Sequence, residues 1–206
     1  MTKPNVSTGP IKSVAALLIV CAVSACETAD DFTDSGFENN IVGGQIFKSG
    51  VAPVRSGSEI DSSGDGFAYM VGKTSDDGFR GYAGIVPTTR VEAIPPSGTA
   101  SMTGRYEAAR IFGIKLAGNS LTGLAVAGAG DITLQADFNR RKLTGTSDDG
   151  NLSVNGEFTG NNLAGTVVYH GANGELAGLV DGDEAIGAFH GNSGTDIIAG
   201  GFLVDK

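Results

Sequence analysis

Residues 186–204 read IGAFHGNSGTDIIAGGFLV, two short apolar runs on either side of a polar, glycine-rich turn. Ile186 and Ala188 share one face of the first run. Ile197, Ala199, Gly201 and Leu203 share one face of the second. Alternation with a period of two is the pattern of a half-buried β-strand. HGNSGTD between the runs has turn chemistry, so the stretch reads as a β-hairpin. A lone hairpin is only marginally stable in water, so this one is expected to close a larger sheet.

The chain upstream carries the same pattern. From Thr99 onward eight strands are predicted: Thr99 to Tyr106, Ile132 to Phe138, Lys142 to Thr146, Asn151 to Phe158, Leu163 to His170, Glu175 to Val180, Ala185 to His190 and Asp196 to Val204. In DITLQADFN the apolar face is Ile132, Leu134, Ala136 and Phe138; in NLSVNGEF it is Leu152, Val154 and Phe158. Turn residues separate the strands at 139–141, 148–150, 160–162, 171–173 and 181–183. Four tripeptides pair a leucine with a glycine two residues on, beginning at Leu121, Leu143, Leu163 and Leu176. Glycine within a strand marks a bend or a close backbone approach, and repeated bends let a sheet curl and close. Eight strands is about the number at which side chains just fill a closed interior. The fold expected is therefore all-β, an eight-stranded antiparallel up-and-down barrel. The stretch 108–129 is readable as an inserted hairpin or as a short helix.

Composition agrees with this class. Glycine supplies 33 of 206 residues without a Gly-X-Y period, which excludes collagen. Tryptophan is absent, so the core must rest on Phe and aliphatics. A net charge of −9 argues against nucleic acid as a partner. Both cysteines lie at the start, Cys21 and Cys26, so neither can staple the barrel or build a thiolate metal site in it.

The first 25 residues read as an address rather than as fold. Lys3 and Lys12 precede the apolar run VAALLIVCAV, ten residues from Val14 to Val23, too short to span a bilayer but suited to a signal peptide. Val23-Ser24-Ala25-Cys26 resembles a bacterial lipobox. The resemblance implies cleavage before Cys26, lipidation of that residue with diacylglycerol and palmitate, and membrane attachment without a crossing. Glu27 after the cysteine, by resemblance to enterobacterial sorting rules, permits an outer-membrane location. Residues 26–65 are polar, acidic and glycine-rich, and are expected to form a flexible tether with one short strand near Gln45 to Phe47. From Gly66, GFAYMVGKTSDDGFRGYAGIV reads as two strands, Phe67 to Val71 and Phe79 to Val86, a short partial β handle. The barrel domain is assigned to 66–206. TSDDG at 74–78 recurs at 146–150 and fits hairpin turns; no further acidic ligand follows at calcium-loop spacing.

SGTASMTG, ADFNRRKLTGT, NGEFTGNNLAGTV and GAFHGNSGTDIIAGGF appear in this order. Together they resemble the β-barrel domain of the transferrin-binding protein B family of surface lipoproteins, which includes factor H-binding protein and haem-acquisition relatives. In the family an aromatic usually follows Phe189, where this chain has His190. The resemblance implies a lipid-anchored outer-membrane or cell-surface protein that binds a host or iron-carrier protein.

No catalytic constellation stands out, G-x-S-x-G is absent, and the glycines near Gly128 lack the Lys-Ser/Thr pair of a phosphate loop, so an enzyme is not expected. Binding through loops on a rigid scaffold is expected instead. The candidate partner-binding residues are Arg140, Arg141, Asp148, Asp149, Asn173, His190 and Asn192. Two alternatives are capture of haem or metal for iron uptake, through His170 or His190, and an envelope-structural lipoprotein without a specific ligand. No cofactor or metal site is assigned.

Overall fold

In a computed structural model the structure describes residues 41–42, 52–73, 78–86, 92–118 and 120–206. Among the described residues there are twelve strands: β1 (Ile41–Val42), β2 (Ala52–Ile60), β3 (Gly66–Lys73), β4 (Phe79–Ile85), β5 (Thr99–Ala117), β6 (Ser120–Asp137), β7 (Lys142–Ser147), β8 (Leu152–Thr159), β9 (Asn162–Tyr169), β10 (Ala172–Val180), β11 (Glu184–Ser193) and β12 (Asp196–Asp205). Strands β5 to β12 close an antiparallel barrel in sequence order, and β12 returns to pair with β5. Gly104 lies opposite Val204 and Tyr106 opposite Phe202, so the first and last barrel strands meet as the sequence predicts.

Strands β1 to β4 form a second sheet, ordered β1-β4-β3-β2. Residues 52–60, read from sequence as tether, are its edge strand β2. Polar composition hid it: RSGSEI offers little apolar alternation. Strands β3 and β4, assigned to the span 66–206, belong to this handle rather than to the barrel. Cys26, the lipobox, the expected strand near Gln45 and most of the first TSDDG lie outside the described residues.

Two cores result. The barrel interior is filled by Met102, Tyr106, Leu134, Leu143, Phe158, Tyr169, Phe189 and Phe202 among others, so the barrel is solid. The second core lies between the handle and the outer face of β5, β11 and β12. Phe67, Tyr69, Val71 and Ile85 meet Ala109, Ile111, Ile186, Ala188, Ile197 and Ala199 there. The hairpin that opens the sequence reading is therefore buried on both faces, not on one. Ile186, Ala188, Ile197 and Ala199 face the handle, while Phe189, Ile198, Phe202 and Val204 fill the barrel. Two glycines make room for this double packing. A Cβ on Gly201 would stand 2.3 Å from the Phe67 ring, and one on Gly187 would stand 2.3 Å from the Phe202 ring. Each aromatic ring occupies the space a side chain would take at its glycine.

One barrel end is stoppered. The segment 92–98 crosses it, with Ile94 packed against the interior core. The Glu92 amide donates to Asp181 Oδ2 at 2.9 Å, and Asn161 Nδ2 donates to the Glu92 carbonyl at 2.7 Å. The turns β6–β7, β8–β9 and β10–β11 lie at this end. The turns β7–β8, β9–β10 and β11–β12 lie at the other, as up-and-down connection requires.

The stretch 108–129 is a hairpin, the first of the two readings, though a continuation of the barrel strands rather than a separate insertion. It prolongs β5 and β6 into one long hairpin that runs past the open end, with paired residues from Thr99↔Asp137 to Ala117↔Ser120. Beyond the barrel it has no interior to face, so its apolar residues lose the alternation that marks the other strands.

Candidate partner-binding cleft

The register of β10 and β11 places Glu175 directly opposite His190. Ala172 and Leu176 point inward, so Asn173 and Glu175 between them face out. On β11 Phe189 points inward, and His190 and Asn192 face out by the same alternation. Thr166 on β9 continues this outer patch. These side chains, with Gly174 and Gly191, line a cleft of about 380 Å³. The handle borders it: the Gly81 amide of β4 donates to Asn192 Oδ1 at 3.3 Å.

His190 gives the cleft its chemistry. It is only 9% exposed, and its Nδ1 has no hydrogen-bond partner among the described residues. Burial pushes its pKa below the usual imidazole value, and the facing Glu175 opposes that shift. A neutral imidazole with an unused nitrogen can accept or donate one hydrogen bond, or ligate a metal. A buried polar atom left unpaired is costly, and Nδ1 is closed off from the cleft, so it is a point of strain in the cleft wall rather than its open contact.

The sequence-predicted residues separate into three places. Asn173, His190 and Asn192 come together in the cleft, on strands rather than in loops. Asp148 and Asp149 sit in the β7–β8 turn at the open end. Arg140 and Arg141 sit in the β6–β7 turn at the stoppered end, away from the others. There Arg140 pairs with Asp137 at 3.4 Å, and Arg141, at φ +57°, places its guanidinium over Phe158 at 5.9 Å. The seven candidates are thus not one surface.

Asp149 is structural. Despite some burial, it is held below the carboxylate range by hydrogen bonds from Ser147, Tyr106 and Asn151. The Tyr106 hydroxyl donates to its Oδ2 at 2.6 Å and ties the turn to the barrel interior. His170 occupies the two-residue β9–β10 turn at φ +47°, beside Gly171 at φ +80°. Its ring lies 4.6 Å from that of Tyr169. Arg110 spans the open end, with Nε and Nη2 donating to Asp196 Oδ1 and Nη1 to the His170 carbonyl.

Glu175 and Thr166 escaped the sequence reading. Only the register of three strands shows that they share a face with His190. At the foot of the handle Asp61, Asp65 and Glu184 bring carboxylate oxygens within 4.8 Å of one another. Burial and the neighbouring acids push Glu184 up to about 7.

No protein-family model and no curated protein matches the chain. Among solved structures it is similar to a variant of transferrin binding protein B from Haemophilus parasuis, with 12% identity, 78% of this chain and 41% of that chain covered, and a TM-score of 0.46. It is also similar to transferrin binding protein B from serogroup B Neisseria meningitidis, with 13% identity, coverage of 75% and 35%, and a TM-score of 0.44. The third is HpuA from Kingella denitrificans, solved in complex with human haemoglobin, with 13% identity, coverage of 77% and 58%, and a TM-score of 0.41. The chain spans less than two thirds of the length of each.

Proposed function

We propose that the chain is a lipid-anchored surface lipoprotein that binds a macromolecular partner with the exterior of its barrel. In this reading Cys26 carries the acyl chains and the protein sits at the outer membrane, facing out. The barrel interior is packed with side chains, so recognition falls to the outer wall and the rim. The observation that carries the reading is the cleft between β9, β10, β11 and the handle, with a nine-tenths-buried His190 whose Nδ1 lacks a partner. Asn173, Glu175 and Asn192 surround it with amide and carboxylate groups of fixed geometry. A rigid sheet presenting convergent polar groups is a preorganised binding surface.

Two measurements test this. Protease treatment of intact cells digests the protein before lysis if it faces out; survival until lysis contradicts the surface location. Human transferrin and haemoglobin serve as first probes on the immobilised chain. Binding of either that falls at least tenfold in His190→Ala supports the cleft, and binding unchanged by that substitution removes it from the account.

A second reading, capture of haem or a metal ion, draws on the neutral imidazole of His190 in the cleft wall. It expects a Soret shift on titration with haemin that is lost in the His170→Ala/His190→Ala double variant. No shift ends it.

A further inference from the structure

Strand β6 runs from Ser120 to Asp137, yet it pairs with β7 only from Ile132 to Asp137. Its other edge is covered by β5 along its length, with a β-bulge in β5 between Phe112 and Lys115. On the β7 side, residues 121–130 have no strand partner among the described residues. The direction of the free groups follows from one bond. The Asp148 amide donates to the Asp131 carbonyl at 3.0 Å, so Asp131 points its backbone groups towards the β7 side. Alternation then aims the N–H and C=O of Leu121, Gly123, Ala125, Ala127 and Ala129 at the same open side.

Natural edges of this kind are blunted by charge, proline or bulges. Here SLTGLAVAGAG, residues 120–130, holds no charged residue and no proline, and the bulge lies in β5. Leu124 and Val126 stand exposed at 66% and 40% on one face. The other face of the segment is Leu121, Gly123, Ala125, Ala127 and Ala129, small everywhere except at the half-buried Leu121.

We propose that this edge pairs with the same edge of a second copy of the chain. The segment is self-complementary about Ala125. In an antiparallel two-fold pairing, Leu121 lies opposite Ala129, Gly123 opposite Ala127, and Ala125 opposite itself. These are the residues whose backbone groups are free, so they form the hydrogen-bonded pairs. Leu124 lies opposite Val126 in the closer, non-hydrogen-bonded pairs, where side chains touch best. The two-fold keeps both apolar pairs on one face and brings no like charges together. The length also fits: the nine residues 121–129 fill the gap between the hairpin tip and the β7–β8 turn. The product is a four-stranded sheet joining two barrels through an isologous contact.

The test uses the full chain carrying Cys21→Ser and Cys26→Ser. Leu124→Cys and Val126→Cys chains are mixed and mildly oxidised. The expected result is a disulfide-linked heterodimer several-fold in excess of what either variant forms alone. Ala127→Pro in both chains is expected to abolish it without changing the far-UV circular dichroism, because the Ala127 N–H faces the open edge and serves no bond to β5. If the proline variant does not fold, Ala127→Lys supplies the same block as an edge charge. Equal cross-linking in mixed and single samples overturns the proposal. So does cross-linking that survives both blocks, or a chain that stays monomeric while its edge captures another protein's strand.

Discussion

Strands β8 and β12 belong to one barrel but face different surroundings. Strand β8 alternates buried and exposed residues without a break. Strand β12 is buried at six consecutive positions, Ile197 to Phe202. The difference is the handle, which covers the outer face of β5, β11 and β12 and leaves β7 to β9 to water. A strand's burial is thus set by what packs on each of its faces. In β12 the handle makes Ala199 as inaccessible as Phe202, both 0% exposed, whereas Val168 on the outer face of β9 remains 40% exposed.

The sharpest way to break this comparison is to put the same charge on both outer faces. Ala199→Asp buries an unpaired carboxylate under the handle and is expected to cost about 3–5 kcal/mol. Val168→Asp on the uncovered wall is expected to stay within about 0.5 kcal/mol. Denaturant midpoints of the two variants measure the gap, and equal costs would deny the handle its role. Phe67→Ala removes the ring that lies on Gly201 and is expected to cost about 3–5 kcal/mol. Gly201→Val fills the same place from the other side, with an expected cost of about 1–3 kcal/mol; an unaltered midpoint would mean that Phe67 does not rest there.

Smaller effects come from the titrating groups. The Tyr106–Asp149 hydrogen bond joins the open-end turn to the core, and Asp149→Asn is expected to cost about 1 kcal/mol. Asp149 is held low in the folded state. Its contribution is therefore present above the usual carboxylate pKa and fades as pH falls, and the variant should flatten that acid limb. Glu184 has the opposite sign. Raised to about 7, it binds a proton more readily folded than unfolded. Stability should therefore decline as pH rises from about 4.5 to 7. Glu184→Gln removes that slope and stabilises the protein near pH 7, by less than about 1 kcal/mol given its partial exposure.

Much of the barrel was legible because one-sided strands advertise themselves. ITLQADF and LSVNGEF separate their faces cleanly, and the turns between them carry glycine and asparagine. In sequence the doubly buried hairpin reads as half-buried, since the alternation of Ile197 and Ala199 on one face masks Ile198 and Phe202 on the other. Two consecutive isoleucines and the run from Ala185 to Phe189 were the available signal for burial on both sides. Strand β2 is not legible because an edge strand of serine, glycine and charge looks like a linker. At the cleft, the sequence points to His190, Asn173 and Asn192, but as loop residues. Their convergence with Glu175 depends on register, which the sequence does not print. Proximity to turns groups Arg140 and Arg141 with them in sequence, but the up-and-down connection sends those turns to opposite ends.

The central claim is that handle and barrel share one core through Phe67, Ile85, Ile186 and Ile197. Native-state hydrogen exchange, followed through increasing denaturant, tests it most directly. The account predicts that amides of β3 and β12 lose protection together, in one cooperative opening. Exchange of β3 at much lower denaturant, with β12 still fully protected, would contradict it.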